Sequence, residues 1–331
     1  MSKKQNLTID DIARDLGVSK TTISRAISGK GRISEATRAR VRAYIEQTNY
    51  RPNAAAKGLA ESRTYNVALV LPRSLFKLDM PFIRKSMTAI CEEAFLQDYN
   101  ILLCLSTDDN PESLLRTLDN RKVDGVVLSR TVENDALVEI LNQREIPFAT
   151  MGSLPASGKG KATVEADHDQ VGGCSAFASA FLRDYRGKVG LLGNDMNYIV
   201  NQSRYTGFMQ GARSLEFKDN DILFRHSLGN AIDCFKAVDS LVEAGVKRIV
   251  AMDEEICLNV LMHLRECGLE GAVQVGSMYD SHQLSLWSPG VSALSFDAAE
   301  LGRVTCRELL HYLRDEEFNP NPTLGYRILM R

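Results

Sequence analysis

The chain of 331 residues lacks any long hydrophobic run. No apolar stretch approaches the roughly 20 residues that a membrane-spanning helix needs. The first residues, Met-Ser-Lys-Lys-Gln-Asn, do not resemble the apolar segment of a secretory signal peptide. These absences argue against a membrane protein and a secreted protein. We therefore expect a cytoplasmic protein, and the length suits two or three domains.

Closely spaced cysteines are also lacking. The seven cysteines are odd in number and scattered, and no C-x-x-C motif occurs. Neither a zinc site nor a disulfide framework is indicated by such spacing. We expect buried, reduced thiols, and we predict no metal site and no cofactor.

Familiar catalytic motifs are missing as well. Gly152 and Gly158 miss the spacing of a phosphate-binding loop, and no G-x-G-x-x-G follows the first predicted strand. The triplet at 167–169 fits a turn between elements better than a metal site, and the five histidines form no pair at helical ligand spacing. A G-x-S-x-G nucleophile elbow is absent. The sequence thus gives no support for an enzyme.

Charge is divided unevenly along the chain. Residues 1–65 contain 13 Lys and Arg against 6 Asp and Glu, a net of +7, whereas residues 66–331 contain 27 against 36, a net of -9. A basic head suits a polyanion through phosphate neutralisation and counterion release. The acidic body would repel a polyanion. This partition predicts a small nucleic-acid-binding head attached to a larger domain of another kind.

The head has the pattern of three short helices. Thr8 with Asp11 resembles a capping box, so the first helix begins at about Ile9. Gly17 breaks that helix, Ser19 caps a second, and Ser34 opens a third. The side chains expected to face inward are Val18, Ile23, Ala26, Ile27, Ala36, Val41, Tyr44 and Ile45.

The second helix should present short polar and basic side chains on its first turns. Lys20, Thr21, Thr22, Ser24 and Arg25 lie outside the inward stripe. Such a face at a helix N-terminus can meet base edges and phosphates in the major groove of DNA. A simple packing module with solvated charges is the alternative interpretation.

A short apolar segment follows at 54–60, after Asn53, which can cap a helix. Helices shorter than about 12 residues are marginal in water, and Gly58 costs roughly another 1 kcal/mol relative to alanine. We expect this segment to be ordered only when something holds it. Leu59 either packs against the body or acts as a wedge between base steps.

Short β-branched runs alternate with amphipathic stretches from Asn66 onward. The predicted strands lie at 67–71, 101–105, 123–128, 148–151, 163–166, 189–192, 249–252, 273–276 and 291–295, and the predicted helices at 82–97, 112–120, 135–144, 170–183, 204–214, 232–244, 256–267 and 298–313. This alternation predicts two parallel α/β sheets with right-handed crossovers. Because ligands collect at the carboxyl ends of such strands and between domains, we expect a binding cleft between two lobes.

Three motifs follow one another in the head: T-I-D-D-I-A-R-D-L-G-V-S-K-T-T-I-S-R-A-I-S-G, I-S-E-A-T-R-A-R-V and N-Y-R-P-N-A-A-A-K-G-L-A. In this order they resemble the DNA-binding head of the lactose/galactose repressor (LacI/GalR) family of transcriptional regulators. The resemblance implies that Lys20 and Thr21 choose the operator bases and that Leu59 is a minor-groove wedge paired across a dimer. The DNA contacts it implies are Thr8, Ser19, Lys20, Thr21, Thr22, Ser24, Arg25, Ser28, Asn53, Ala56 and Leu59.

The body resembles the same family, whose effector domain is like a type I periplasmic sugar-binding protein. The matching motifs are V-D-G-V-V-L-S, D-H-D-Q-V-G-G, L-L-G-N-D, S-R-Y-T-G-F and F-D-A-A-E-L-G-R. Arg204 lies where the family's arginine grips ligand hydroxyls or carboxylates, a task that suits a planar guanidinium. The effector contacts implied by the resemblance are Asp79, Phe82, Ser129, Arg130, Asp167, Arg204, Asp253 and Tyr279.

Two segments depart from the family pattern. Met252 stands in A-M-D-E where the family usually has an amide, and Met278 stands in G-S-M-Y-D where G-Y/F-D-D is usual. Both segments are expected to line the C-terminal half of the pocket. We therefore predict that the pocket offers an unusual set of polar side chains to a sugar.

The resemblance implies an α/β protein with an all-α helix-turn-helix head at 1–50, a hinge helix or linker at 51–62 and an effector-binding and dimerisation domain at 63–331. In that domain the N-lobe is expected at about 63–162 plus 291–320, and the C-lobe at about 163–290 plus 321–331. The implied function is a homodimeric repressor of carbohydrate-metabolism genes that binds a palindromic operator in double-stranded DNA and a carbohydrate-like effector. A nucleobase-like effector or corepressor, an enzyme with a fused DNA-binding head, and a ligand-binding module that no longer regulates remain as alternatives.

Overall fold

The computed structural model describes residues 7–29, 31–48, 50, 58–59, 61–71, 81–106, 110–155, 161–227, 230–287 and 290–331. The predicted contacts Asn53, Ala56 and Asp79 lie outside these residues, as does the side chain of Ser28. The chain forms two compact units, Met1–Thr64 and Tyr65–Arg331. In the described part of the chain, no helix has the length and apolar character of a membrane-spanning segment.

Three helices build the first unit: α1 (Ile9–Leu16), α2 (Lys20–Ser28) and α3 (Glu35–Thr48). A capping box begins α1, as predicted, because Thr8 Oγ1 accepts the Asp11 N–H at 3.3 Å and the Asp11 carboxylate accepts the Thr8 N–H at 3.0 Å. Gly17 ends α1 with a left-handed φ of 61°. Ser19 Oγ accepts the Thr22 N–H at 3.1 Å and so caps α2.

The core of the first unit is small and apolar. Its buried side chains are Ile12, Ala13, Ile23, Ala26 and Val41. Ile27 and Ala36 were also expected to face inward, and that expectation was wrong, since both are exposed. Each lies in the terminal turn of its helix, where fewer neighbouring side chains are within reach. Polar contacts add to this core, because α3 donates hydrogen bonds from Arg40 and Tyr44 to the last turn of α1.

Two six-stranded sheets flanked by helices form the second unit. The elements are β1 (Asn66–Leu71), α4 (Pro81–Leu96), β2 (Asn100–Leu105), α5 (Glu112–Asp119), β3 (Gly125–Leu128), α6 (Ala136–Gln143), β4 (Phe148–Met151), β5 (Val164–His168), α7 (Gln170–Leu182), β6 (Val189–Gly193), α8 (Ile199–Arg213), β7 (Ile222–His226), α9 (Ala231–Glu243), β8 (Arg248–Ala251), α10 (Glu254–Glu266), β9 (Gln274–Ser277), α11 (His282–Trp287), β10 (Ser292–Ser295), α12 (Ala298–Leu313), β11 (Thr323–Leu324) and β12 (Arg327–Leu329). The strand orders are β11-β5-β4-β3-β1-β2 and β12-β10-β9-β8-β6-β7. Paired strands run parallel except for β10 and β12.

The chain crosses between the two sheets three times, after β5, after β10 and after β11. We call the first sheet with α4, α5, α6 and α12 the N-lobe, and the second sheet with α7 to α10 the C-lobe. The lobe limits expected from the sequence were therefore wrong for β5 and β11, which pair within the N-lobe, and for β10, which pairs within the C-lobe. The lobe to which a strand belongs is decided by the strand with which it forms hydrogen bonds. The apolar runs in the sequence do not reveal that partner.

Both faces of each sheet are covered by helices. In the N-lobe, α4 and α12 pack on one face and α5 and α6 on the other. In the C-lobe, α7 and α8 cover one face, and α9 and α10 cover the other. Burial on two faces explains why the strands read as continuous apolar runs. Phe82, at the start of α4, packs against the cores of both lobes.

Two glycines let α8 approach α7 closely. A Cβ atom at Gly207 would lie 2.4 Å from the carbonyl oxygen of Val171, and one at Gly211 would lie 2.2 Å from that of Ser175. Both neighbours are backbone atoms, which cannot rotate away. The glycine in S-R-Y-T-G-F therefore serves helix packing.

Gly211→Ala is expected to lower the free energy of unfolding by about 1–3 kcal/mol, because the added methyl group overlaps the Ser175 carbonyl. This loss outweighs the roughly 1 kcal/mol by which alanine favours a helix over glycine. Urea unfolding followed by circular dichroism measures the effect. Gly325→Ala is the control, since a Cβ there would meet no atom within 4 Å. Equal stability of the two variants would contradict the close approach.

Candidate functional sites

The first turns of α2 expose most of the side chains predicted to contact DNA. Thr21, Ser24 and Arg25 are exposed. The side chain of Lys20 is 65% exposed and forms a salt bridge with Asp10. An exposed ion pair contributes at most about 1 kcal/mol, so Lys20 can exchange Asp10 for a phosphate or a base at small cost.

Three of the predicted hydroxyl contacts have partners within the head. Thr8 belongs to the capping box of α1. Ser19 Oγ and Thr22 Oγ1 lie 2.8 Å apart at the start of α2. These hydroxyls fix the ends of the two helices and thereby orient the exposed face of α2. Leu59, the predicted wedge, is 86% exposed.

Arg204 is the central polar residue of the predicted effector site. It lies on α8 and is 9% exposed. Its guanidinium donates to the carbonyl oxygen of Met252 at 2.8 Å and to Gln170 Oε1 at 3.5 Å. Among the described residues its remaining N–H donors have no partner, and a guanidinium offers several in a planar fork. Arg204 can therefore hold a polar ligand without giving up the contacts that position it.

Asp253 lies near Arg204, at the start of α10. Its carboxylate accepts the Ile256 N–H at 2.8 Å and caps this helix. Burial raises the pKa of Asp253, while the Ile256 N–H and the positive charge of Arg204 oppose the shift. In the described chain the two charges interact without forming a salt bridge. The structure thus brings together two predicted effector contacts of opposite charge.

Phe82 and Tyr279 bring the lobes into aromatic contact. Their ring centroids lie 5.9 Å apart with the planes at 76°, an edge-to-face arrangement. Tyr279 is 5% exposed, and burial raises the pKa of its hydroxyl. The hydroxyl therefore stays protonated at neutral pH and can donate a hydrogen bond.

Both methionines that depart from the family pattern are fully buried in the C-lobe core. The sulfur of Met252 lies 2.6 Å from the position that a Cβ on Gly193 would occupy, so this side chain packs against β6. The carbonyl of Met252, by contrast, accepts a hydrogen bond from Arg204. The departure at Met252 therefore serves core packing, whereas the contact with Arg204 uses a backbone carbonyl that any residue at this position would supply.

Asp167 and His168 end β5, where the chain leaves the N-lobe. Asp167 accepts the N–H and the hydroxyl of Ser153 at 2.9 and 2.8 Å, so its carboxylate holds the chain after β4. His168 is 3% exposed; its Nε2 lies 3.2 Å from the carbonyl oxygen of Asp297, and its Nδ1 has no partner in the described chain. Burial lowers the pKa of His168, which keeps the ring neutral. Sequence reasoning passed over His168, although a histidine ending a strand at a predicted crossover was a usable signal.

Arg130 contacts the C-lobe through Tyr198, a residue that sequence reasoning missed. Its guanidinium lies 4.5 Å from the centroid of the Tyr198 ring and donates to the Tyr198 hydroxyl. Backbone hydrogen bonds extend this contact, with 3.3 Å from Ile199 N to Thr131 O and 2.9 Å from Glu133 N to Asn197 O. We call residues 130–133 and 197–199 the seam. A tyrosine before a helix carries no sequence signal for such a contact between lobes.

Ser129 lies directly before the seam, at the end of β3. It is 4% exposed, and its hydroxyl has no hydrogen-bond partner among the described residues. A buried hydroxyl without a partner costs free energy. Ser129 is therefore suited to donate to a ligand, as the resemblance implied.

Family models match nearly the whole chain. Residues 8–53 match "Bacterial regulatory proteins, lacI family", and residues 64–303 match "Periplasmic binding proteins and sugar binding domain of LacI family". Catabolite control protein A of Staphylococcus epidermidis is 27% identical over 98% of both chains. The transcriptional regulator RegA of Clostridium saccharobutylicum is 23% identical, again over 98% of both.

Solved structures share the fold. A complex of the transcriptional regulator CelR with cellobiose has a TM-score of 0.73 at 22% identity, over 98% of this chain and 99% of that one. The lac repressor dimer bound to operator and the anti-inducer ONPF has a TM-score of 0.79 at 17% identity, over 99% and 98%. These two structures therefore share with this chain a helical head followed by two parallel-sheet lobes.

Proposed function

The chain belongs to the LacI family of bacterial regulatory proteins, and from this premise we propose that it is a homodimeric repressor of carbohydrate-metabolism genes. Its head would bind a palindromic operator in double-stranded DNA, and a small carbohydrate-like effector would bind between the N-lobe and the C-lobe. The observation that carries this proposal is Arg204, which is buried beside Asp253 with donors that have no partner in the described chain.

The similar proteins support both parts of the proposal, the binding of a sugar and the binding of an operator by a dimer. One solved relative is a complex with the sugar cellobiose, and another is a dimer on its operator. The family-matched body is described as a sugar-binding domain. An effector that binds one arrangement of the lobes better than another shifts the protein toward that arrangement. Whether the effector releases the operator or strengthens its binding is decided by which arrangement it prefers.

The exposed face of α2 would read the operator. Thr21→Ala and Lys20→Ala are each expected to change the preferred base at one operator position, because a good contact to a base edge discriminates by about 1–3 kcal/mol. Selection of binding sites from randomised DNA measures this preference. Gln47→Ala, at an exposed position of α3, is the control and should keep the original preference. An unchanged preference in both α2 variants would argue against the assignment of this face.

A dimer would use the exposed apolar side chains beside β2. Phe95 and Leu96, in the last turn of α4, are 79% and 76% exposed, and Leu103 on β2 is 47% exposed. Leu103 shares a face of this edge strand with Ile101 and Leu105, which pack toward α4. A group of exposed apolar side chains of this kind is typical of an interaction surface. A two-fold symmetric dimer would match the two half-sites of a palindromic operator.

The phenyl ring of Phe82, which is half-buried at the start of α4, also favours a second candidate, a nucleobase-like effector or corepressor, because a flat base would stack against its exposed part. A thermal-shift panel of sugars, sugar acids, sugar phosphates and nucleobases separates the two, since a specific ligand raises the melting temperature by mass action. Each ligand that raises it is then tested for its effect on binding to DNA from upstream of the protein's own gene, with random DNA for comparison. Equal affinity for both DNAs, with and without every ligand, would contradict the proposed function.

A further inference from the structure

Three side chains with different donor atoms meet on the surface of the C-lobe. They are Asp239 on α9, His263 on α10 and Cys267 directly after α10, and their ligand atoms all lie within 4.8 Å of one another. His263 Nε2 is 2.7 Å from Asp239 Oδ1 and 3.7 Å from Cys267 Sγ. We propose that this cluster binds a zinc ion.

Helix geometry and an aromatic neighbour hold the cluster in place. His263 lies in the last turns of α10 and Cys267 is the C-cap of this helix, so a spacing of four residues places their side chains on the same side of the helix end. The imidazole ring of His263 stacks on Phe235 of α9, with centroids 4.5 Å apart and planes at 10°. Its Nδ1 is buried without a partner in the described chain, whereas Nε2 faces the other two donors. The ring is thus already oriented for a ligand at Nε2.

The distances suit a tetrahedral ion. Zinc binds sulfur at about 2.3 Å and nitrogen or oxygen at about 2.0–2.1 Å, which places donors roughly 3.3–3.6 Å apart. The separation of 3.7 Å between sulfur and Nε2 is close to this range. The shorter contact of 2.7 Å is a direct hydrogen bond between His263 and Asp239, and this distance must increase by at least about 0.6 Å. Asp239 is exposed and can make that movement.

The donor set also selects the metal. A thiolate with an imidazole favours zinc over magnesium and calcium, which prefer oxygen donors. Binding releases the thiol proton of Cys267 to solvent, because the thiolate is the metal ligand. Zinc binds an unprotonated imidazole nitrogen, so the proton that His263 Nε2 donates to Asp239 leaves that atom and the neutral ring carries its proton on Nδ1 instead. Asp239 and Cys267 are both exposed, so water has access to the fourth position. The ion would join α9 to α10 and stabilise the native C-lobe.

This site is separate from the residues proposed for the effector. Tyr279 and α8, which carries Arg204, belong to the face of the second sheet opposite α9 and α10. Asp253 does lie on α10, but at its N-terminal end, roughly 15 Å along the helix axis from His263 in the last turns. Zinc binding and effector binding can therefore succeed or fail independently. A metal site here differs from the sequence prediction of no metal site, which rested on the spacing of the cysteines, the spacing of the histidines and the triplet at 167–169. A mixed pair, H-L-R-E-C, was the available signal.

The experiment uses the full-length, tag-free, reduced protein. Zinc chloride is titrated in competition with a chromophoric chelator, and cobalt chloride is added separately to detect the near-ultraviolet charge-transfer band of a thiolate bound to cobalt. We expect one ion per chain and a charge-transfer band. Cys267→Ser should abolish the band, and Cys267→Ser and His263→Gln should each weaken zinc binding by at least about tenfold.

Cys91→Ser is the matched control, because Cys91 is the other exposed cysteine among the described residues. It should leave the zinc affinity and the band unchanged. Circular dichroism and melting temperature without metal establish that each variant is folded. The proposal is overturned if the wild type binds no zinc, if the band survives in Cys267→Ser, or if it is lost in Cys91→Ser.

Discussion

Arg204→Ala should abolish the response to the effector while the protein still binds its operator. Arg204 is buried, and its guanidinium is held by Met252 and Gln170 in the position from which it would reach a ligand. Hydrogen bonds to a charged group contribute about 1.5–3 kcal/mol each. The loss of two such bonds should therefore lower the affinity for the effector by at least about 100-fold. Calorimetry with the ligand that most raises the melting temperature measures this loss.

Two further variants make the result specific. Arg213→Ala removes an exposed arginine from the same helix, where it pairs with Asp219, and should leave the effector affinity unchanged. Arg204→Lys keeps the charge but loses the planar fork, and should recover little of the affinity. If Arg204→Ala retained the wild-type response, Arg204 would have no place in the effector site.

Phe95→Glu should convert the proposed dimer to a monomer and reduce operator affinity by at least about 100-fold at fixed salt. Phe95 is 79% exposed and lies beside the exposed Leu96, so a charge placed there would be buried unpaired in the proposed interface. A monomer contacts about half as many phosphates, and the slope of log affinity against log salt falls in proportion. Analytical ultracentrifugation gives the oligomeric state, and operator titrations at several salt concentrations give the slope.

Met330→Glu is the control for this substitution. Met330 is a large apolar residue that is 52% exposed near the C-terminus, and the same change there should preserve the dimer and the salt slope. A Phe95→Glu protein that remained dimeric with an unchanged slope would show that the dimer uses another surface.

Structural features that depend only on residues close together in the sequence could be predicted. The capping box of Thr8 and Asp11, the break at Gly17 and the cap at Ser19 depend on residues within four positions of each other, and all three are present. The central strands were also recognisable, because burial on both faces demands continuous apolar runs. The edge strand β7 was missed, since its exposed side admits polar residues such as Arg225.

Features that depend on distant residues escaped prediction. Tyr198 meets Arg130 across 68 positions, and Asp239 meets His263 across 24. Nothing in the local pattern of either residue specifies its partner. For the proposed effector site, the resemblance supplied Arg204 and Tyr279, whereas Gln170 became apparent only from its contact with Arg204.

The crossings between the lobes meet around His168. Leu324 pairs with His168 in the sheet, the Asp169 N–H donates to the Leu324 carbonyl at 2.8 Å, and His168 Nε2 contacts the Asp297 carbonyl at 3.2 Å. Because these three chain segments lie side by side where they join the lobes, we expect them to form the hinge when the lobes rotate against each other. In the proposed response to an effector, a distance measured across the seam would then report the change in the angle between the lobes.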